Sequence, residues 1–179
     1  MTEDEIIASA TRQFYKNGLK FTIQDIADDL HIAKKTIYQF YSSKEELFIG
    51  MLDHGFAEIQ KQKQEILARK IPYKEKVRTV MIAIPDQYTV LDFRKLYKLK
   101  DKYPKVYQVL RKHLENDWEP IIKLLNEGKK QGKVKNINIP VLKTMVTATI
   151  DAFLSTNVLK QSKVGYNDAL NEMMKIILD

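Results

Sequence analysis

The chain has 179 residues, a hydrophobic fraction of 44% and a formal net charge of +7. That length and apolar content suffice for a buried core, either as one body or as a small head on a larger one. The absence of cysteine excludes disulfides and thiolate metal sites.

The elements read as all-helical, because no stretch sustains period-two alternation and helix formers dominate. The first helix is expected from about Glu3 to Lys16, with Ile6, Ile7, Ala10 and Phe14 on its apolar face and Asn17-Gly18 ending it. Two short helices follow, one opening at Thr22, the other near Ala33. A fourth starts at Ser43, where Ser-Lys-Glu-Glu offers a capping box, and runs toward Arg69 until Ile71-Pro72 ends it. Tyr73 to Ile84 is expected as a helix stopped by Pro85-Asp86, and Asp92 to Lys102 as another stopped by Tyr103-Pro104. Pro104 to Lys130 reads as a long helix that Pro120 kinks or divides, with Gly128 and Gly132 marking its end. Pro140 to Leu159 and Tyr166 to Leu178 complete the series. The first three helices form a head at 1–46, and helix four ties it to a larger helical body at 47–179.

The longest apolar candidate for a membrane span, Val141 to Leu159, is broken by Lys143, Asp151 and several hydroxyls. The acidic start MTEDEII is unlike a secretion signal. A cytoplasmic protein with no membrane partner is expected. Most of the positive excess lies at 58–112, with fifteen basic and six acidic residues, and reads as a solvated lysine-rich surface. The head is near neutral, but its charge is sorted. From 31 to 44 the only charged side chains, histidine aside, are Lys34, Lys35 and Lys44.

The segment FTIQDIADDLHIAKKTIYQFYSSKEELF, 21–48, is the most informative. Its first helix carries Ile23, Ile26, Ala27 and Leu30, and its second Ile37, Phe40 and Tyr41. Two helices joined this tightly cross steeply, and Ala27 is small enough for the contact. His31 falls where a left-handed backbone is needed, a conformation in which histidine is enriched. Ile32 points inward from the turn. This is the helix-turn-helix layout, which offers its second helix to the DNA major groove. With one amphipathic helix before it and SKEELF after it, the segment resembles the TetR family of bacterial transcription regulators. The matching residues are Thr22, Asp25-Ile26-Ala27, Ile32, Thr36-Ile37-Tyr38, Tyr41, Ser43-Lys44-Glu45 and Leu47, about the first quarter of the chain. His31 and Ala33 depart from the family's turn glycine and Ser/Thr cap.

On the second motif helix Lys34, Lys35, Thr36 and Gln39 are placed for base edges: glutamine pairs with adenine, lysine reaches guanine acceptors, and the threonine methyl meets thymine. Tyr38 has two readings, phosphate contact and packing. Lys44, at the start of helix four, and Thr22 are expected on the DNA backbone. Phe40, Tyr41, Ile37, Ile26 and Leu30 read as core. Asp28 and Asp29 read as solvated.

The resemblance implies a small-molecule effector site in the body. Candidate lining residues are Tyr88, Phe93, Tyr97, Tyr107, Trp118, Met145 and Phe153, each with plain core filling as the alternative. Thr144, Thr147, Asp151 and Ser155 form a polar stripe on one helix face. The last two helices resemble the family's dimerisation pair. Leu142, Val146, Leu170, Met173, Met174 and Ile177 are candidates for the seam, with intramolecular packing as the competing role. No HExxH, GxSxG, phosphate-cradling glycine loop or metal-spaced cluster occurs, and no cofactor is expected. The expectation is a homodimeric, ligand-responsive repressor on a palindromic DNA operator. A protein-interaction module tethered by its helix-turn-helix is the rival, and an all-helical enzyme or carrier ranks last.

Overall fold

The computed structural model of the chain describes residues 1–85 and 98–178, and all regular secondary structure within them is helical. In order, the elements are α1 (Glu3–Asn17), a 3-10 turn (Gly18–Lys20), α2 (Ile23–Asp29), α3 (Lys34–Tyr38), α4 (Lys44–Ala68), α5 (Tyr73–Met81), α6 (Leu99–Lys102), α7 (Pro104–Asn116), α8 (Glu119–Lys130), α9 (Ile139–Ser155), α10 (Val158–Gln161) and α11 (Tyr166–Leu178). They belong to two compact units. The first is Met1–Ala57 with the described part of Leu91–Lys112, and the second is the described part of Glu58–Val90 with that of His113–Asp179. This division does not follow the 46/47 boundary read from the sequence, because residues far down the chain cluster with the head.

In the first unit, α1 begins in a full capping box. Thr2 Oγ1 accepts from the Glu5 N–H, and the Thr2 N–H donates to Glu5 Oε2 at 2.6 Å. The helix ends at Gly18, whose φ of 58° suits a residue without Cβ. Ile6, Ile7, Ala10 and Phe14 are all buried, as the 3.6-residue period demands. Phe14 and Phe21 pack edge-on to Phe48 of α4, with centroids 6.0 and 5.3 Å away. The Tyr103 ring lies 5.1 Å from Phe48 on another side, and Leu99, Val106 and Leu110 are buried in the same unit. Each fully buried side chain of this size contributes roughly 1.5–3 kcal/mol.

The second unit is a larger apolar core built from Ile66 (α4), Val77 and Val80 (α5), Trp118, Ile121, Leu124 and Leu125 (α8 and its cap), Leu142 and Val146 (α9), and Leu170, Met173, Met174 and Leu178 (α11). Gly128 is not an end signal, because it lies inside α8. A Cβ there would meet the Tyr73 ring at 2.5 Å, so the glycine admits the ring, whose hydroxyl donates to the Leu124 carbonyl. Gly132, with φ 65°, does follow the helix end.

Several boundaries move for physical reasons. The α5 helix stops at Met81 rather than Ile84, since a proline at 85 would clash with the carbonyl four residues back. Pro120 divides the 104–130 stretch outright and sits in the first turn of α8. The helix expected to reach Leu159 ends at Ser155, where Thr156 turns extended. It begins with Asn138, whose side chain accepts from the Val141 N–H. Of the 92–102 helix, only Leu99–Lys102 falls within the described residues.

Candidate nucleic-acid interface

The geometry of α2, the turn and α3 follows from local signals. Thr22 caps α2 as expected and adds a second bond: its hydroxyl accepts from the Asp25 N–H, and its own N–H donates to Asp25 Oδ2 at 2.7 Å. The helix closes with a Schellman motif. His31 takes φ 55°, its N–H donates to the Asp28 carbonyl at 3.3 Å, and the Ile32 N–H donates to the Ala27 carbonyl at 2.9 Å. Ala27 is 1% exposed, so the helix crossing is as tight as its size suggested. The α3 helix starts at Ala33 without a side-chain cap. Ile37 is fully buried and anchors α3 by its inner face.

Burial of Ile37 turns the opposite face outward. Lys34, Lys35 and Gln39 are exposed, Tyr38 is 47% exposed, and Thr36 is half-buried on the flank. Thr22 is exposed as well. One face of a short helix thus carries two cations, an amide and a phenol, the groups that read base edges and grip phosphate. Phe40 departs from expectation. It is 42% exposed, not core, because the helix has ended at Tyr38 and Tyr41 takes the buried place.

Lys44 is the larger correction. Its ammonium turns inward, donating to the Leu19 carbonyl at 2.9 Å and to that of Phe21, and it lies 4.2 Å from the Phe21 ring centroid. Burial and then the charge of Lys102 lower its pKa to about 8, against the pull of Asp25. These bonds fix the turn before α2. The expected contact with DNA backbone gives way to this internal role. The carboxylate of Glu46 likewise takes the Ser42 N–H, one residue earlier than the expected box, while Ser43 Oγ accepts from the Glu46 N–H.

Two further supports escaped the sequence reading. Buried Ser9 donates to Asp29 Oδ2 at 2.5 Å, and Arg12 reaches the same oxygen at 2.6 Å, tying α1 to α2. These bonds, Ser9's first, hold the Asp29 carboxyl below its ordinary pKa. Asp29 is therefore engaged rather than merely solvated. Tyr41 donates to Glu3 Oε1 at 2.7 Å, and its ring lies where a Cβ on Gly50 would stand, 2.5 Å from the nearest ring carbon. A glycine inside a helical pattern signals such an approach.

The body candidates are not gathered into one site. Tyr88, Phe93 and Tyr97 lie outside the described residues. Tyr107 belongs to the first unit, whereas Trp118 is buried in the second unit's core. Phe153 is half-buried and packs edge-on to Tyr166 at 6.4 Å. Met145 is 55% exposed and lines nothing in this chain. A shallow groove in the second unit is lined by Gln64, Leu67, Glu119, Pro120, Lys123, Leu124 and Glu127, none of them among the seven expected. The seam candidates also move. Leu142, Val146, Leu170, Met173 and Met174 are buried in their own subunit's core, and Ile177 packs against it. The exposed apolar side chains of the same helices are Val141, Met145 and Ile176. In the polar stripe, Thr144 and Ser155 are exposed and Thr147 and Asp151 half-buried. Among the described residues, no helix is long and apolar enough to cross a membrane.

Comparison with known proteins agrees with this geometry. Residues 6–51 match the model of bacterial regulatory proteins of the tetR family. The uncharacterized HTH-type transcriptional regulator YvaF of Bacillus subtilis (strain 168) is 28% identical over 150 residues, 83% of this chain and 79% of that protein. Among solved structures, a TetR transcription regulator from Haloarcula marismortui ATCC 43049 superposes with a TM-score of 0.77 at 16% identity, covering 98% of this chain and 95% of that one. The regulator FadR from Bacillus subtilis, in complex with stearoyl-CoA, gives 0.70 at 19% identity, covering 99% and 98%. With the reading helix, its turn and the family match coinciding, the chain belongs to the TetR family of transcription regulators and is a DNA-binding regulator rather than an enzyme.

Proposed function

We propose that this regulator is a cytoplasmic homodimeric repressor that releases a palindromic operator when a small molecule binds its second unit. The observation that carries the DNA-reading part is the outward face of α3, with Lys34, Lys35, Tyr38 and Gln39 displayed by the burial of Ile37. Lys35 and Gln39 contact base edges, Thr36 flanks them, and Lys34, Tyr38 and Thr22 hold phosphates. A single short helix reads only a few base pairs. Two copies about 34 Å apart read a palindrome. Val141 and Met145 of α9 with Ile176 of α11 support a seam between copies, since large apolar side chains stay exposed there. A ligand that binds one head spacing better than the other shifts the dimer off the operator.

The ligand part rests on the family and on the relative whose structure holds stearoyl-CoA, which makes long-chain acyl thioesters the first compounds to test. Selection of bound duplexes from a random pool tests the DNA reading. A palindromic product is the expected result, and no enrichment over scrambled DNA in moderate salt overturns it. Val141→Asp with Ile176→Asp should convert a dimer to monomers in sedimentation. An unchanged mass rejects this seam.

A further inference from the structure

The second unit's core contains one charged side chain that neither packing nor DNA reading uses. Lys63 of α4 is 7% exposed, yet its ammonium has a single protein acceptor among the bonds described, the Asp117 main-chain carbonyl at 3.3 Å. The site is short of partners on both sides. Asp117 Oδ2 and, on the residue before Lys63, Gln62 Oε1 are buried without a hydrogen-bond partner. Burial of an incompletely bonded ammonium and two bare acceptors is unfavourable, by an amount that a well-packed apolar set would avoid. Burial also lowers the Lys63 pKa, with Asp117 opposing the shift. All three residues belong to the same unit, and Trp118 adjoins Asp117 in the chain.

The unmet valences specify a ligand chemistry. Lys63 has N–H groups to spare and needs an oxygen acceptor. Asp117 Oδ2 and Gln62 Oε1 need donors. The Asp117 carboxylate opposes an anionic head, because like charges at short range repel strongly at low dielectric. We propose that Lys63, Asp117 and Gln62 anchor the polar end of the effector, taking a neutral head group that sets a carbonyl acceptor beside an N–H donor, of which a primary amide on an apolar chain is the simplest form. This deepens the ligand-responsive reading above and rests on it. Lys63 donates to the carbonyl, and Asp117 and Gln62 accept from the amide. The apolar remainder lies against the surrounding core, where burial drives binding.

Trp118 is the only tryptophan in the chain and is buried, so its fluorescence reports the site without DNA. The full-length protein is titrated with decanamide, methyl decanoate and decanoate, which share a chain and differ in the head. Decanamide should bind about tenfold more tightly than the ester, the equivalent of one net hydrogen bond, and decanoate more weakly than either. Lys63→Met and, as a milder variant, Lys63→Gln should each remove the preference for the amide, with folding checked by thermal melting. Asp117→Asn should relax the exclusion of decanoate. The proposal is overturned by equal binding of the three compounds or by none, by unchanged discrimination in both Lys63 variants, or by variants that melt differently yet bind alike, which would mark an internal Lys63–Asp117 pair only. Since no operator enters the measurement, failure here leaves the DNA reading standing, and failure of operator selection leaves this result intact.

Discussion

The two units solve the problem of buried polarity in opposite ways. In the first, the polar groups that leave water find partners: Ser9 has Asp29, Tyr41 has Glu3, and Lys44 has two carbonyls. Two capping boxes and a Schellman motif close its helix ends. In the second unit, a broad apolar core surrounds Lys63 and the bare oxygens of Gln62 and Asp117. A reading head must present fixed side chains to DNA, so every internal bond that fixes α3 serves its function. A body that responds to a ligand needs groups left wanting, because only differential contacts shift an equilibrium.

The largest expected effect tests whether the first unit's order depends on its aromatic centre. Phe48→Ala removes the ring shared by Phe14, Phe21 and Tyr103, and should cost about 3–5 kcal/mol in urea unfolding followed by circular dichroism. Leu142→Ala should cost about 2–5 kcal/mol, whereas neighbouring exposed Val141→Ala should change the stability of one subunit by less than about 0.5 kcal/mol. Comparable losses would contradict the inward placement of Leu142. Lys44→Ala leaves two carbonyls without their donor and should cost about 1–3 kcal/mol, with weaker binding to every duplex as a consequence. Gln39→Ala should instead leave the melting curve alone and alter preference at particular base pairs. Equal loss on all sequences would remove Gln39 from the base-reading set.

Smaller effects sharpen the same contrast. His31→Gly should stabilise the head by about 0.5–1 kcal/mol by relieving a left-handed residue that has a Cβ. A fall in stability would show that the histidine ring contributes more than its backbone strain. The pH dependence has a definite sign at two groups. Asp29 titrates below its ordinary value, so its contribution is complete above the unfolded carboxyl pKa and is lost as pH falls through the folded one. Asp29→Asn should flatten that acid limb. Lys44 titrates near 8, below its unfolded value, so the unfolded chain binds more protons above that point and this group makes stability rise with pH between the two.

Sequence alone determined the helical class, the helix-turn-helix and the caps that frame it, because these depend on residues within four positions of one another. Thr22, Ala27 and His31 play their expected structural parts for that reason, and Pro120 divides its helix as its missing N–H requires. Tertiary structure decided which apolar stripe of a helix meets its own core and which meets solvent. Leu142 and Val141 are adjacent and alike in chemistry, and only the packing of α9 on its neighbours separates them. It likewise decided the direction of flexible side chains. Lys44 reads as an exposed cation until residues some twenty positions away supply two carbonyls and a ring for it. Local rules write the backbone, whereas long-range contacts, absent from any short window of sequence, choose where long side chains end.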